Sequence, residues 1–340
     1  MPVMTTPRRN STCGKLLGLF LPFLLIASGS LAVESMAQAG ASRTGCAGGY
    51  HWPVRPFDEA HPIRGGFGDP RTVFDGQPSE RTLMAGDGGF SFHQGLDISA
   101  PDGSPVYAVS SGTVVRARGG RVTVDCRNGR SFQYWHIDPV ARVGQSAVAG
   151  KTLLGFVQPK REHIHLTQLQ HGLAVNPLAP GRLAPYRDTT TPAVVSISIR
   201  RTGAELSLFA EAIDWPALPV PGRWHGFPVT PALVAWSVED STGRIVLPSR
   251  VARDVRRVVP RNDRFWSTFA RGTHQNWPVY ARHKERGLAG RYVFKLSTRP
   301  LDTATLRDGD YELVVTAQDT AGNRGARRVG FSVANHLSGS

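Results

Sequence analysis

After residue 40 the apolar runs of this chain are short and β-branched; from residue 63 to about 180 they are separated by Gly, Pro and Asp, and no segment there shows a convincing helical period. Side chains alternate across a strand but recur every 3.6 residues on a helix. The pattern therefore argues against a helical bundle and for an all-β chain. Residues 106–109 read as one strand and 112–116 as the next. Residues 122–126 and 131–136 flank Arg127-Asn128-Gly129, where Asn-Gly is a strong hairpin signal. No later run is long enough to cross a membrane as a helix.

The chain has 340 residues, 40% of them apolar, enough for two cores. Residues 40–62 read as a loop-like lead, with Trp52-Pro53-Val54 leading in. Small strands fill 63–183, and the Pro/Thr/Asp stretch 184–192 reads as a linker. Over 193–335 the pattern changes: Val195, Ile197 and Ile199 alternate with Ser196, Ser198 and Arg200, and Leu206 and Leu208 alternate with Glu205 and Ser207. The end of the chain reads strand, tight turn around Asp319-Thr320-Ala321-Gly322-Asn323, then strand. This predicts a β-sandwich, and the last hairpin resembles those of bacterial Ig-like or fibronectin-type modules. That likeness implies a fold and no function.

The N-terminus reads as an export signal over residues 1–39. Arg8, Arg9 and Lys15 precede the apolar residues 16–27, and Ala37-Gln38-Ala39 has the A-x-A form. Cleavage after Ala39 is expected, with Ala32 as the alternative; an uncleaved anchor is the competing reading. The product would be secreted or held in the cell envelope. Cys46 and Cys126 remain in the mature chain. An oxidising space allows them to pair, which stabilises by roughly 4 kcal/mol in the chain-entropy model; two unpaired thiols are the alternative.

The net charge is +14, and residues 188–340 hold half of that excess. A basic exterior suits polyanions such as cell-wall polymers or anionic lipid. No nucleic-acid-binding motif is present. Arg250, Arg253, Arg256, Arg257, Arg261 and Arg264 crowd one segment. It reads either as a polyanion patch or as the solvated face of a short helix or loop.

Four pieces carry chemistry: His93-Gln94-Gly95-Leu96-Asp97, Tyr134-Trp135-His136, His163-Ile164-His165, and the frame Gly103-Ser104-Pro105-Val106-Tyr107-Ala108 with Gly112-Thr113-Val114. The residue types suit zinc, whose catalytic sites take three His or Asp/Glu ligands and keep one position for water. Residues i and i+2 of a strand share a face, so His163 and His165 look into one cavity. By the same alternation Phe132, Tyr134 and His136 share a face. Gly95 permits a sharp path between His93 and Asp97.

With these residues in view, the chain resembles the lysostaphin-type (LytM-like) zinc metalloendopeptidases that cleave peptidoglycan peptides. The likeness covers about residues 63–180. It begins at Gly66-Phe67-Gly68-Asp69-Pro70-Arg71, similar to an F-G-x-R element, and continues through the four pieces. It implies a small antiparallel β-sheet metallopeptidase domain of the duplicated-hybrid-motif kind. It implies one Zn2+ held by His93, Asp97 and His165, with His136 and His163 as the non-ligand pair that handles water and oxyanion. Two departures stand out. Gln158-Pro159-Lys160-Arg161-Glu162 replaces a Gly-rich turn, and Thr167 stands where an acidic residue is common. Both are expected to alter the groove wall more than the metal. His51, His61, His171, His225, His274, His283 and His336 read as structural or surface residues.

The leading expectation is an exported zinc endopeptidase, monomeric, acting on peptidoglycan peptides, with the C-terminal region bound to wall polyanions or serving as a spacer. A non-catalytic wall-binding protein or activator of other hydrolases is the alternative, and a secreted protease of protein substrates the third.

Overall fold

In the computed structural model of the chain, residues 49–72, 90–276 and 288–335 are described. The export signal, Cys13, Cys46, His283 and His336 lie outside them. Among the described residues no helix is long and apolar enough to cross a membrane.

The first half runs β1 (Ile63–Gly65), β2 (Pro70–Arg71), β3 (Ser91–Phe92), β4 (Leu96–Ser99), β5 (Pro105–Tyr107), β6 (Gly112–Arg118), β7 (Arg121–Asp125), β8 (Arg130–Trp135), β9 (Ile137–Pro139), β10 (Ser146–Ala147), β11 (Leu153–Val157), β12 (His163–Gln170) and β13 (Leu173–Val175). The main antiparallel sheet has the order β1-β4-β12-β8-β7-β6-β10, with β13 beside β12. A second sheet, β5-β11-β9, lies alongside in the order of pairing. The Asn128-Gly129 turn joins β7 to β8 as the sequence predicts, with Gly129 left-handed at φ 73°. One face of the main sheet is apolar: Leu96 and Ile98 of β4, Phe132 and Tyr134 of β8, and Ile164 and Leu166 of β12 are all fully buried. The residues between them face the other way, where the polar side chains gather.

The lead is more than an entry loop. Tyr50, Trp52 and Val54 are buried in this first core. The Tyr50 hydroxyl donates to Gln168 Oε1 at 2.9 Å, and Trp52 Nε1 donates to the Pro185 carbonyl at 2.7 Å. The stretch after it is also fixed: Asn323 Nδ2 donates to the Asp188 carbonyl at 3.1 Å. Cys126 is disulfide-bonded, with its partner outside the described residues.

The second half runs β14 (Ala193–Thr202), β15 (Glu205–Ile213), β16 (Leu233–Asp240), β17 (Ile245–Asp254), α1 (Phe265–Thr268), β18 (Val293–Lys295), β19 (Leu301–Asp302), β20 (Gly309–Gln318) and β21 (Arg324–Val333). Two antiparallel sheets, β14-β15-β18 with β19 and β17-β16-β20-β21, share one apolar core. A register shift between Val194 and Ser196 corrects the simple alternation expected in β14: Val194 is buried and Val195 is 40% exposed. The Arg-rich stretch also needs correction. It is strand through Asp254, and Arg253 is 3% exposed. Arg253 donates to the Gly68 carbonyl (2.8 Å), to Thr230 Oγ1 (3.0 Å) and to the Pro231 carbonyl. It cannot belong to a surface patch. Arg256 and Arg261 are paired with Asp254 and Asp263.

The two halves touch at several points. Phe90 and Phe92 of the β3 segment pack into the second core, with ring centroids 5.4 Å (Phe90) and 5.5 Å (Phe92) from Phe265. Thr72 and Gln275 exchange hydrogen bonds of 2.7 and 3.0 Å. Asp69, buried, accepts from the backbone and hydroxyl of Thr230 at 2.9 and 2.7 Å.

Candidate metal centre

The register of β4 against β12 opposes His165 to Asp97 and His163 to Ser99. His93 follows β3 directly and turns in beside them. His93 Nε2 lies 2.7 Å from His165 Nδ1 and 3.1 Å from Asp97 Oδ1, and His165 Nδ1 lies 3.0 Å from the same oxygen. These residues form the one group of His, Cys, Asp and Glu among the described residues that could hold a metal ion.

The outer atoms of each ligand explain why the inner atoms are available. His93 Nδ1 donates to the Gly66 carbonyl at 2.7 Å, so in the neutral ring Nε2 carries its lone pair inward. His165 Nε2 is held at 2.8 Å by Thr167 Oγ1. Arg71 Nη2 donates to Asp97 Oδ2 at 2.7 Å, leaving Oδ1 for the centre. Burial, followed by the Arg71 charge, pushes the His93 imidazole down to about 4, so it is neutral near pH 7. Burial pushes the Asp97 carboxyl up, but His93 and Arg71 outweigh it and hold the group well below the usual carboxylate range. Two imidazoles and one carboxylate, with one atom of each converging on a common point, suit a divalent transition metal.

His136 and His163 stand alongside, with ring centroids 4.6 Å apart. His163 shares the face of His165 as the i, i+2 spacing requires. Its Nδ1 donates to the Arg161 carbonyl at 2.6 Å, so Nε2 is the acceptor that faces Asp97 Oδ1 at 3.6 Å. His136 does not share the face of Phe132 and Tyr134, which corrects the alternation argument. Those two lie in the core, whereas His136 follows the last residue of β8 and takes a left-handed conformation, φ 65°. That turn swings the ring into the groove against His163. Burial pushes His136 down to about 4 and His163 well below its ordinary value.

Gly95 sits at a bend between His93 and Asp97, and its missing side chain matters as well. A Cβ there would meet the Leu166 carbonyl oxygen at 2.4 Å and His165 Nε2 at 2.8 Å. The absent side chain lets β12 pass close enough for His165 to reach the centre. The turn before His163 is built without glycine. Lys160 and Glu162 are left-handed, φ 66° and 53°, and Asp102 accepts from the backbone N–H groups of Lys160, Arg161 and Glu162. Thr167 reaches the outer nitrogen of His165, so this departure bears on a candidate metal ligand.

Sequence reasoning missed Arg64. Its Nη2 lies 3.4 Å from His163 Nε2, and its Cζ lies 4.1 Å from the centre of the Trp224 ring. Nothing local in the sequence links residues 64 and 224. His51, His61, His171, His225 and His274 take no part in the metal group.

No curated protein is matched by this sequence. Among solved structures the chain is similar to lysostaphin in solution, at 18% identity over 60% of this chain and 78% of that one, TM-score 0.29. It is similar to LytU at 24% identity over 36% of this chain and 84% of that one, TM-score 0.26. A zinc containing peptidase from Vibrio cholerae matches at 22% identity over 38% of this chain and 39% of that one, TM-score 0.30. Residues 91–177, which include all five polar side chains of the centre, match the model of Peptidase family M23.

Proposed function

We propose that this protein is an exported, zinc-dependent endopeptidase that hydrolyses peptide bonds in peptidoglycan stem peptides or cross-bridges. The observation that carries the reading is the convergence of His93 Nε2, Asp97 Oδ1 and His165 Nδ1 beside a second histidine pair. A site that only stabilised the fold would not need that pair. The reading keeps a peptidase region over 63–183 and a second β-region over 193–335.

A zinc ion held there would polarise the scissile carbonyl and lower the pKa of a water. His163, with its Nδ1 committed to the Arg161 carbonyl, offers Nε2 as the proton acceptor. His136 presents an N–H to the developing oxyanion, and the proton taken up by His163 Nε2 is the one that passes to the leaving amine. Thr167 and the Gly66 carbonyl keep the ligand rings from rotating.

The test is incubation of the mature protein with purified sacculi, with and without a chelator, following new amino groups. One zinc per chain and chelator-sensitive release are expected, together with loss of release but retention of zinc in His163→Ala. Full release in that variant, or zinc binding with no release, overturns the reading. The second outcome favours a non-catalytic wall-binding protein.

A further inference from the structure

In β1, Ile63 packs into the core and Gly65 lies against Asp97, so Arg64 faces the histidines. Its guanidinium is covered by Trp224, which belongs to a short turn, Gly222–Trp224, of the second half. The same turn is tied down by Arg223, whose Nη2 lies 3.0 Å from Glu162 Oε2. Arg64 Nε and Nη1 and Trp224 Nε1 are all buried and have no hydrogen-bond partner among the described residues. Arg64 makes no ion pair there either: Asp97 is engaged by Arg71 and Glu162 by Arg223.

Arg64 Nη2 has His163 Nε2 at 3.4 Å, but the three other buried donors lack an acceptor and the cation lacks an ion-pair partner, which costs free energy unless an acceptor arrives with the ligand. A carboxylate brings two oxygens, about four lone pairs and the opposite charge, and it matches a guanidinium fork. The oxyanion of the reaction is a poorer candidate. His163 Nε2, the nearest group, carries a lone pair and repels an anion on that side. We propose that Arg64 and Trp224 form a subsite for a free carboxylate of the peptide substrate, beside the scissile bond. The second half of the chain therefore supplies part of the specificity. The inference rests on the peptidase reading, but its test does not require hydrolysis.

The experiment titrates the full mature chain, zinc-free and zinc-loaded, with N-acetyl-Gly-Gly-Glu-Gly-Gly-amide and its Gln twin, by calorimetry or NMR. The Glu peptide should bind about ten-fold tighter, the size of a charge-assisted hydrogen bond. Arg64→Gln should bring the twins within two-fold of each other. Trp224→Leu, on a surface turn, should reduce the preference and serves if Arg64→Gln does not fold. Equal binding of the twins by the native chain, binding of neither at millimolar concentration, or a preference that survives Arg64→Gln overturns the subsite. Equal binding of the twins by the native chain, with hydrolysis of both slowed equally in Arg64→Gln, also overturns it, in favour of a transition-state role. Discrimination without any sacculus hydrolysis overturns the peptidase reading alone; hydrolysis without discrimination overturns the subsite alone.

Discussion

Gly95→Ala tests how tightly the fold and the metal centre are linked. The new Cβ would lie 2.4 Å from the Leu166 carbonyl oxygen, where real Cβ atoms keep at least 3.0 Å, so the strands must part by at least 0.6 Å. β12 is hydrogen-bonded to β4 on one side and β8 on the other, so it cannot drift freely. Overpacking of this kind costs about 2 kcal/mol. With an m-value of about 3 kcal/mol/M, the urea midpoint falls by about 0.7 M. His165 pairs with Asp97 next to the contact, and metal ligands tolerate displacements of only about 0.2 Å. The zinc Kd, from competition with a chromophoric chelator, should therefore rise by about ten-fold or more. Gly172→Ala is the control: Gly172 is left-handed at φ 78° with nothing within 4 Å of its would-be Cβ. It should lower the midpoint through backbone strain and leave zinc affinity alone. A Gly95→Ala protein with native midpoint and native zinc affinity would refute the close-approach argument.

Thr167→Val keeps the shape but removes the partner of His165 Nε2; zinc affinity should fall about ten-fold by chelator competition, with little change in melting temperature. Burial, reinforced by Asp188 and Asp319, pushes the Asp214 carboxyl up to about 8. The folded state thus holds a proton that the unfolded chain releases near pH 4, and stability falls as pH rises between those values. Asp214→Asn, which can still accept from Trp215 N, should flatten that slope and stabilise by up to about 4 kcal/mol at pH 7, read from urea melts across pH. His93 and His136 work in the opposite sense. Burial holds both near 4 in the folded state, below the ordinary 6.5, so the unfolded chain binds more protons in that interval. In the Asp214→Asn background, where the opposing slope is removed, the metal-free protein should keep its full midpoint above pH 6.5 and lose it progressively toward pH 4; a flat profile there would sink the assignment of neutral rings.

The strands of the first half were legible because their alternation is local: Phe132 and Tyr134 point to the core, and Asn128-Gly129 dictates the turn. The histidine and aspartate set was legible because strand spacing puts His163 and His165 on one face. What broke local periodicity was not. His136 leaves alternation through a left-handed backbone, and Val195 is turned out by a bulge. Arg253 belongs to a run of arginines that looks solvated, yet it is buried because three acceptors from distant segments meet it. Arg64 and Trp224 are 160 residues apart, and no pattern within either neighbourhood signals the contact.

The support of His93 has the same long-range character. Its Nδ1 and backbone are held by the β1–β2 turn: Gly66 accepts from the ring, Gly68 N donates to its carbonyl, and its own N–H donates to Asp69. That turn is held in its place from the second half, by Thr230 on the Asp69 carboxylate and Arg253 on the Gly68 carbonyl. On the other side of His93, Phe92 inserts into the second core and its N–H donates to Asn262 Oδ1 at 3.1 Å. The family-matched segment 91–177 therefore contains the three candidate ligands but not the frame that aims one of them. Metal centres depend on such outer contacts nearly as much as on the ligands themselves. A second half that fixes His93 and covers Arg64 is part of the site's construction, whatever else it binds.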